Sequence, residues 1–215
     1  QQEPIVNGNT AIADKTEEGD NGRIINTTLY PKLDNADLTT IGGPGKEFWH
    51  SGWNWYAFHK REPKEYGEWR LEVSPKKASA EDCFLNVIHV TEASDEIKPL
   101  QAELIEAGDF LGAKIKDRIA FFSTKEGRYD KEIKAEIKGE GTFEVLVTDV
   151  HEGEWIIYKD GKEYTRAIAT TNGGDFNFKG PQGSYRFKRN KRSDKTFTRD
   201  MEWRNHTKDL GSDYT

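Results

Sequence analysis

The chain has 215 residues, 33% of them charged and 12% aromatic, with one cysteine and a formal charge of -6. A single cysteine excludes an internal disulfide and a four-thiolate zinc site. No apolar run approaches the roughly 18–20 residues that a membrane-spanning helix needs, and six Trp, eight Tyr and eleven Phe argue against a wholly disordered polymer.

Taken in chain order, Gln1-Gln2-Glu3-Pro4 has neither the basic nor the apolar region of a secretory leader. This predicts a mature form or a piece of a longer chain. Asp14, Glu17, Glu18, Asp20 and Asn21 form an acidic stretch with Gly19 and Gly22. Calcium wants six to eight oxygens, but the EF-hand spacing is missing, so a solvated loop is expected. Gly42-Gly43-Pro44-Gly45 lacks the spacing of a phosphate loop and reads as a tight turn. Residues 44–67 carry three Trp, two Tyr and two Phe with little alternation, which predicts a long structured loop.

From residue 68 the dominant period is two. Residues 68–73 and 132–138 alternate polar and apolar, as strands buried on one face do. Residues 143–147, 176–178 and 184–188 repeat the pattern. The more continuous runs at 83–90 and 119–122 suit strands covered on both sides. Residues 100–107 are the one helix-like stretch, and a strand fits there too. Asp160-Gly161 between two apolar runs is the strongest hairpin signal. Gly139-Glu140-Gly141, Asn172-Gly173-Gly174 and Gly180-Pro181-Gln182-Gly183 read as further turns.

These patterns predict an all-β fold: an antiparallel β-sandwich of about a dozen short strands over residues 1–189. It forms one domain or two packed halves meeting near 92–100. A long aromatic loop interrupts it, and a polar, basic tail covers 190–215. Residues 179–208 hold ten basic and three acidic side chains, against 22 and 33 in residues 1–178. Such a block usually is a solvated strand and tail. With no helix-turn-helix, zinc-finger or RNP-like motif, no nucleic-acid partner is expected. Cys83 is expected to be a buried, inert thiol, and His89 a satisfied sheet residue.

Several segments carry a resemblance. Tyr30-Pro31-Lys32, the Ile41-to-Trp49 run with its Gly-Gly-Pro-Gly-Lys-Glu-Phe-Trp core, residues 67–75 and residues 81–90 resemble the C-terminal β-domain of heparinase II/III-type polysaccharide lyases. Residues 139–143 and 180–186 resemble that domain's closing strands, so the likeness spans roughly 22–188. It implies secreted or periplasmic action beside a helical toroid, of the same or a partner chain. It also implies an acidic polysaccharide cleaved by β-elimination. In the family, an Asn neutralises the uronate carboxylate while Tyr and His act as acid and base, on the toroid and the adjoining central sheet. Those motifs are missing from this sequence, so no catalytic residue is carried over and no cofactor or metal is expected.

The sharpest candidate site is the aromatic loop. Trp49, His50, Trp53, Trp55, Tyr56, His59, Lys60 and Arg61 are the candidate carbohydrate-binding residues. Aromatic rings stack on the apolar C–H faces of sugars, and a Lys-Arg pair meets carboxylate or sulfate, Arg bidentately. The competing reading has Trp49, Trp53 and Phe58 folding back as a satellite core. Three functions follow as expectations. The first is a non-catalytic β-domain that supports the toroid and contacts acidic polysaccharide. The second is a secreted structural module that self-associates through edge strands or the tail. The third is lyase activity in this chain, with Tyr56 and His50 or His59 as the acid–base pair.

Overall fold

The computed structural model describes residues 2–17, 20–55 and 68–191. The chain divides after Glu103 into two compact units. Both are built from strands, and a short 3-10 turn at Leu33–Asn35 lies in the first.

The first unit contains a four-stranded sheet in the order β1-β2-β3-β8. Its strands are β1 (Ile5–Asn7), β2 (Thr10–Glu17), β3 (Asp20–Tyr30) and β8 (Leu85–Glu92), all antiparallel. Ile25, Leu29 and Ala11 are buried here, together with the hydroxyls of Thr27 and Thr28. Thr28 Oγ1 donates to Asn86 Oδ1 at 2.7 Å, so the buried hydroxyl keeps a partner. Two smaller ladders complete the unit. β4 (Ala36–Gly42) pairs with β7 (Trp69–Pro75), and β5 (Trp49–His50) pairs with β6 (Trp53–Asn54).

The second unit holds one seven-stranded sheet in the order β14-β13-β15-β12-β11-β10-β9, whose first strand in the chain begins two residues before the division. Its strands are β9 (Ala102–Glu106), β10 (Phe110–Ile115), β11 (Arg118–Ser123), β12 (Ile133–Val147), β13 (Gly153–Lys159), β14 (Lys162–Ala169) and β15 (Phe176–Arg189). Two very long strands, β12 and β15, pair side by side at its centre. They do not run straight. Phe176 and Phe187 lie eleven residues apart on β15, which a straight strand would spread over roughly 36 Å. Their ring centroids are 5.8 Å apart. The strand therefore folds back on itself near residues 180–183. β12 bends beside it, at the register shift between Ile137 and Thr142.

This double bend turns one sheet into two facing layers. Phe187 meets Phe121 of β11 at 6.3 Å, and Trp155 of β13 stacks on Phe176 at 5.4 Å. One continuous core results, with Ile133, Ile137, Phe143 and Val147 of β12 all facing inward. Trp155 is completely buried there, and its Nε1–H donates to the His151 carbonyl at 2.9 Å.

The structure refines several sequence expectations. Gly139-Glu140-Gly141 and Gly180-Pro181-Gln182-Gly183 are bends inside long strands, not turns between short ones. Glycine suits both roles, and Gly139 and Gly141 take positive φ of 124° and 90° in the bulge. Asp160-Gly161 does close the β13–β14 hairpin, with both residues at positive φ as a primed turn requires. Residues 100–107 contain strand β9 rather than a helix. One pair, β11 with β12, is parallel.

The expectation of strands covered on both sides fails at β8 and in part at β11. β8 lies at a sheet edge and alternates in exposure, leaving Ile88 62% and Val90 72% exposed. In β11, Ile119 and Phe121 are buried but Phe122 is exposed. An uninterrupted apolar run cannot distinguish a covered strand from a one-sided strand with an apolar outer face. Cys83 precedes β8 and is half-buried rather than buried. His89 is not the satisfied sheet residue expected, because its buried Nδ1 has no hydrogen-bond partner among the described residues. Asp14 belongs to a strand, where Arg23 grips both of its carboxylate oxygens at 2.7 and 2.8 Å. That carboxylate serves an ion pair inside the sheet. Most of the predicted tail, residues 192–215, lies outside the described residues.

Candidate functional site

The aromatic loop is a small hairpin on a tight base. β4 ends at Gly42, where the backbone runs so close to the opposite strand that a Cβ would overlap the Glu68 carbonyl oxygen. At Gly43 a Cβ would sit 2.7 Å from the Trp69 ring. Both take positive φ. The Gly-Gly pair therefore lets Trp69 lie across the chain, and the next residues turn away from the ladder.

Glu47 anchors the turn. Its Oε1 accepts from the Gly45 amide at 2.9 Å, and its Oε2 accepts from Asn54 Nδ2 at 3.1 Å. Its own and the Gly45 backbone N–H groups hold this carboxyl below the usual carboxylate range. Asn54 in turn accepts the Phe48 amide at 3.0 Å. Arg70 Nη2 donates to the Trp49 carbonyl at 2.5 Å, fixing the hairpin to β7. Ser51 and Gly52 close the far end with φ of 50° and 80°, the signs of a type I′ turn.

This framework brings Trp49, His50, Trp53 and Trp55 onto one short hairpin. His50 pairs across from Trp53, and Trp49 from Asn54. Trp49 is half-buried, with the Lys46 ammonium 5.6 Å from its ring centroid. Trp53 is 62% exposed and Trp55 43%, so Trp53 does not fold back into a satellite core. Trp55 Nε1 donates to the His50 carbonyl at 3.3 Å, which orients the indole along the hairpin. Tyr56, His59, Lys60 and Arg61, together with Phe58, lie outside the described residues.

Sequence reading singled out the rings and missed the groups that aim them: Glu47, Asn54 and Arg70. The signal for Glu47 and Asn54 was weak, because a carboxylate and an amide seven residues apart look like ordinary loop polarity. Arg70 alternates with apolar neighbours and reads as a solvent-facing strand residue. Among the described residues, no three His, Cys, Asp or Glu side chains converge as a metal site would require.

The second unit carries the clearest likeness to known proteins. Residues 104–189 match the heparinase II C-terminal domain. The matched stretch starts at the first residue of the second unit and ends with the last residue of β15. It covers less than half of the chain. It includes residues 139–143 and 180–186, the two bends that fold the sheet over. The Gly-Gly-Pro-Gly run and residues 67–75 and 81–90, which also carry the sequence resemblance, lie outside it. No curated protein matches the chain. No helix among the described residues is long and apolar enough to cross a membrane.

Proposed function

We propose that this chain is the non-catalytic C-terminal β portion of a heparinase II/III-type lyase. In this reading it supports a helical toroid, contacts acidic polysaccharide through the aromatic hairpin, and acts outside the cell or in the periplasm. The observation that carries the proposal is the match of residues 104–189 to the heparinase II C-terminal domain. The hairpin adds the means of contact. Two indoles stay exposed although burying each would be worth roughly 2–3 kcal/mol, and exposed rings on a braced turn suit stacking on sugar faces. β-Elimination also needs an acid and a base within hydrogen-bond reach of one sugar ring.

Two measurements test the reading. Unsaturated uronate absorbs in the ultraviolet, and the chain alone is expected to give no rise with any acidic polysaccharide; a rise overturns the non-catalytic part. Tryptophan fluorescence titrated with a heparin oligosaccharide reports contact. Trp53→Ala and Trp55→Ala are each expected to weaken affinity several-fold, and unchanged affinity in both removes the hairpin from the interface.

A second reading rests on β8. An eight-residue edge strand with exposed Ile88 and Val90 is a template for pairing with a second copy of this chain. Light scattering decides it: a monomer at every concentration rejects assembly.

A further inference from the structure

The second unit has an open groove of about 490 Å³, lined by residues of that unit alone. It lies where β12 begins and β15 ends. Its apolar part comes from Ile156 and Tyr158 on the outward face of β13. These two sit opposite Lys188 and Arg186 on β15. The Arg186 guanidinium packs over the Tyr158 ring at 4.3 Å, which fixes the ring and places a second cation beside it.

Four basic and two acidic side chains line the groove. The acids are already engaged. Asp130 accepts from Lys191 at 2.8 Å, and Glu132 lies 3.7 Å from Lys134 and 3.8 Å from Arg186. Arg189 Nε is bound to the Glu152 carbonyl at 3.0 Å. Lys131 and Lys188 are exposed and have no ion-pair or hydrogen-bond partner among the described residues. A chain of net charge -6 thus holds a locally positive groove, with two uncommitted ammonium groups beside an aliphatic and an aromatic surface.

We infer that this groove is a binding site for one acidic sugar unit of a polysaccharide. Its carboxylate or sulfate would be held by Lys131 and Lys188, and its ring would lie against Tyr158 and Ile156. The volume fits within the range of small-molecule sites, about 300–1,000 Å³. A bare anion would gain nothing from the apolar face. A single-stranded nucleic acid uses several exposed rings on which successive bases stack, and Tyr158 is the one ring in this lining. The inference rests on the acidic-polysaccharide reading for its ligand class and on the groove alone for its location.

The test uses the full chain and fluorescence polarisation with a labelled heparin oligosaccharide, an unsulfated hyaluronate oligosaccharide, a neutral dextran and single-stranded DNA. The double variant Lys131→Glu/Lys188→Glu is expected to lose at least about tenfold in affinity for the acidic sugars. Tyr158→Ala is expected to lose several-fold, and Lys188→Arg to bind like the parent chain. Heparin without hyaluronate binding assigns the anion as sulfate; binding of both assigns carboxylate. Unaltered affinity in the double variant overturns the groove, as does absence of binding in the parent chain. Equal charge-dependent loss on DNA shows a general polyanion surface and also overturns it. Trp53→Ala separates the two proposals: loss there with no loss in the double variant leaves the hairpin standing and the groove refuted. The reverse result refutes the hairpin alone. Both lysines are exposed, and an unchanged melting temperature shows that the double variant folds.

Discussion

At the residue scale, two side chains convert packing into pH dependence. Tyr185 lies over Gly180, and its hydroxyl donates to the Pro181 carbonyl at 2.6 Å, pinning the bend of β15. Burial pushes this phenol up to about 12. An unfolded tyrosine ionises near 10. The raised folded value means its contribution is complete below about 10 and is lost as pH rises toward 12. Tyr185→Phe is expected to cost about 1 kcal/mol at neutral pH and to flatten the alkaline limb, read by denaturant titration across pH. Asp14 behaves in the opposite sense. The hydrogen bond from Arg23 lowers its carboxyl, so its contribution is present above about 4 and is lost as pH falls through the depressed value. Asp14→Asn is expected to destabilise β2 and β3 at neutral pH and to remove their acid sensitivity, as amide exchange would report.

At the element scale, the bends decide the fold. Trp155 joins the two layers through Phe176, and its truncation leaves a cavity at the middle of the core. Trp155→Ala is expected to cost about 3–5 kcal/mol, seen as a shifted denaturant midpoint. The central amides of β12 and β15 are expected to exchange slowest, because each strand is paired on both sides in the middle of the sheet. Faster exchange there than in β14 would contradict the layered arrangement. The hairpin depends on its base in the same way. Gly42→Ala forces a Cβ onto the Glu68 carbonyl at a positive φ and is expected to cost roughly 1–3 kcal/mol. It should also blue-shift or broaden the emission of the hairpin tryptophans as their setting changes; unaltered stability would mean that the ladder yields easily.

At the scale of the whole molecule, charge sets how an acidic ligand approaches. A net charge of -6 repels a polyanion at long range, so binding must come from local features. Affinity for heparin is expected to fall with rising salt, with a slope reflecting only a few released ions. A steep slope would instead point to the basic stretch 179–208 as a whole as the main contact. Alternation and the Asp-Gly signal made the all-β class legible, because period two and primed-turn chemistry are local. The exposed rings were legible as a cluster, since their excess over core needs was visible in residues 48–58.

What the sequence determined by itself was the all-β class, the alternating strands from residue 68 onward, one hairpin turn and the aromatic cluster. Each depends on neighbours a few positions apart. Only the tertiary structure decided that Gly139–Gly141 and Gly180–Gly183 bend continuous strands, because a bend and a turn use the same residues and differ in whether pairing resumes in the same ladder. It also decided the groove. The run Trp155-Ile156-Ile157-Tyr158 is uniformly apolar in sequence, yet pleating buries Trp155 and Ile157 and turns Ile156 and Tyr158 outward. Lys188 and Arg186 come beside them through a register that links residues about thirty positions apart.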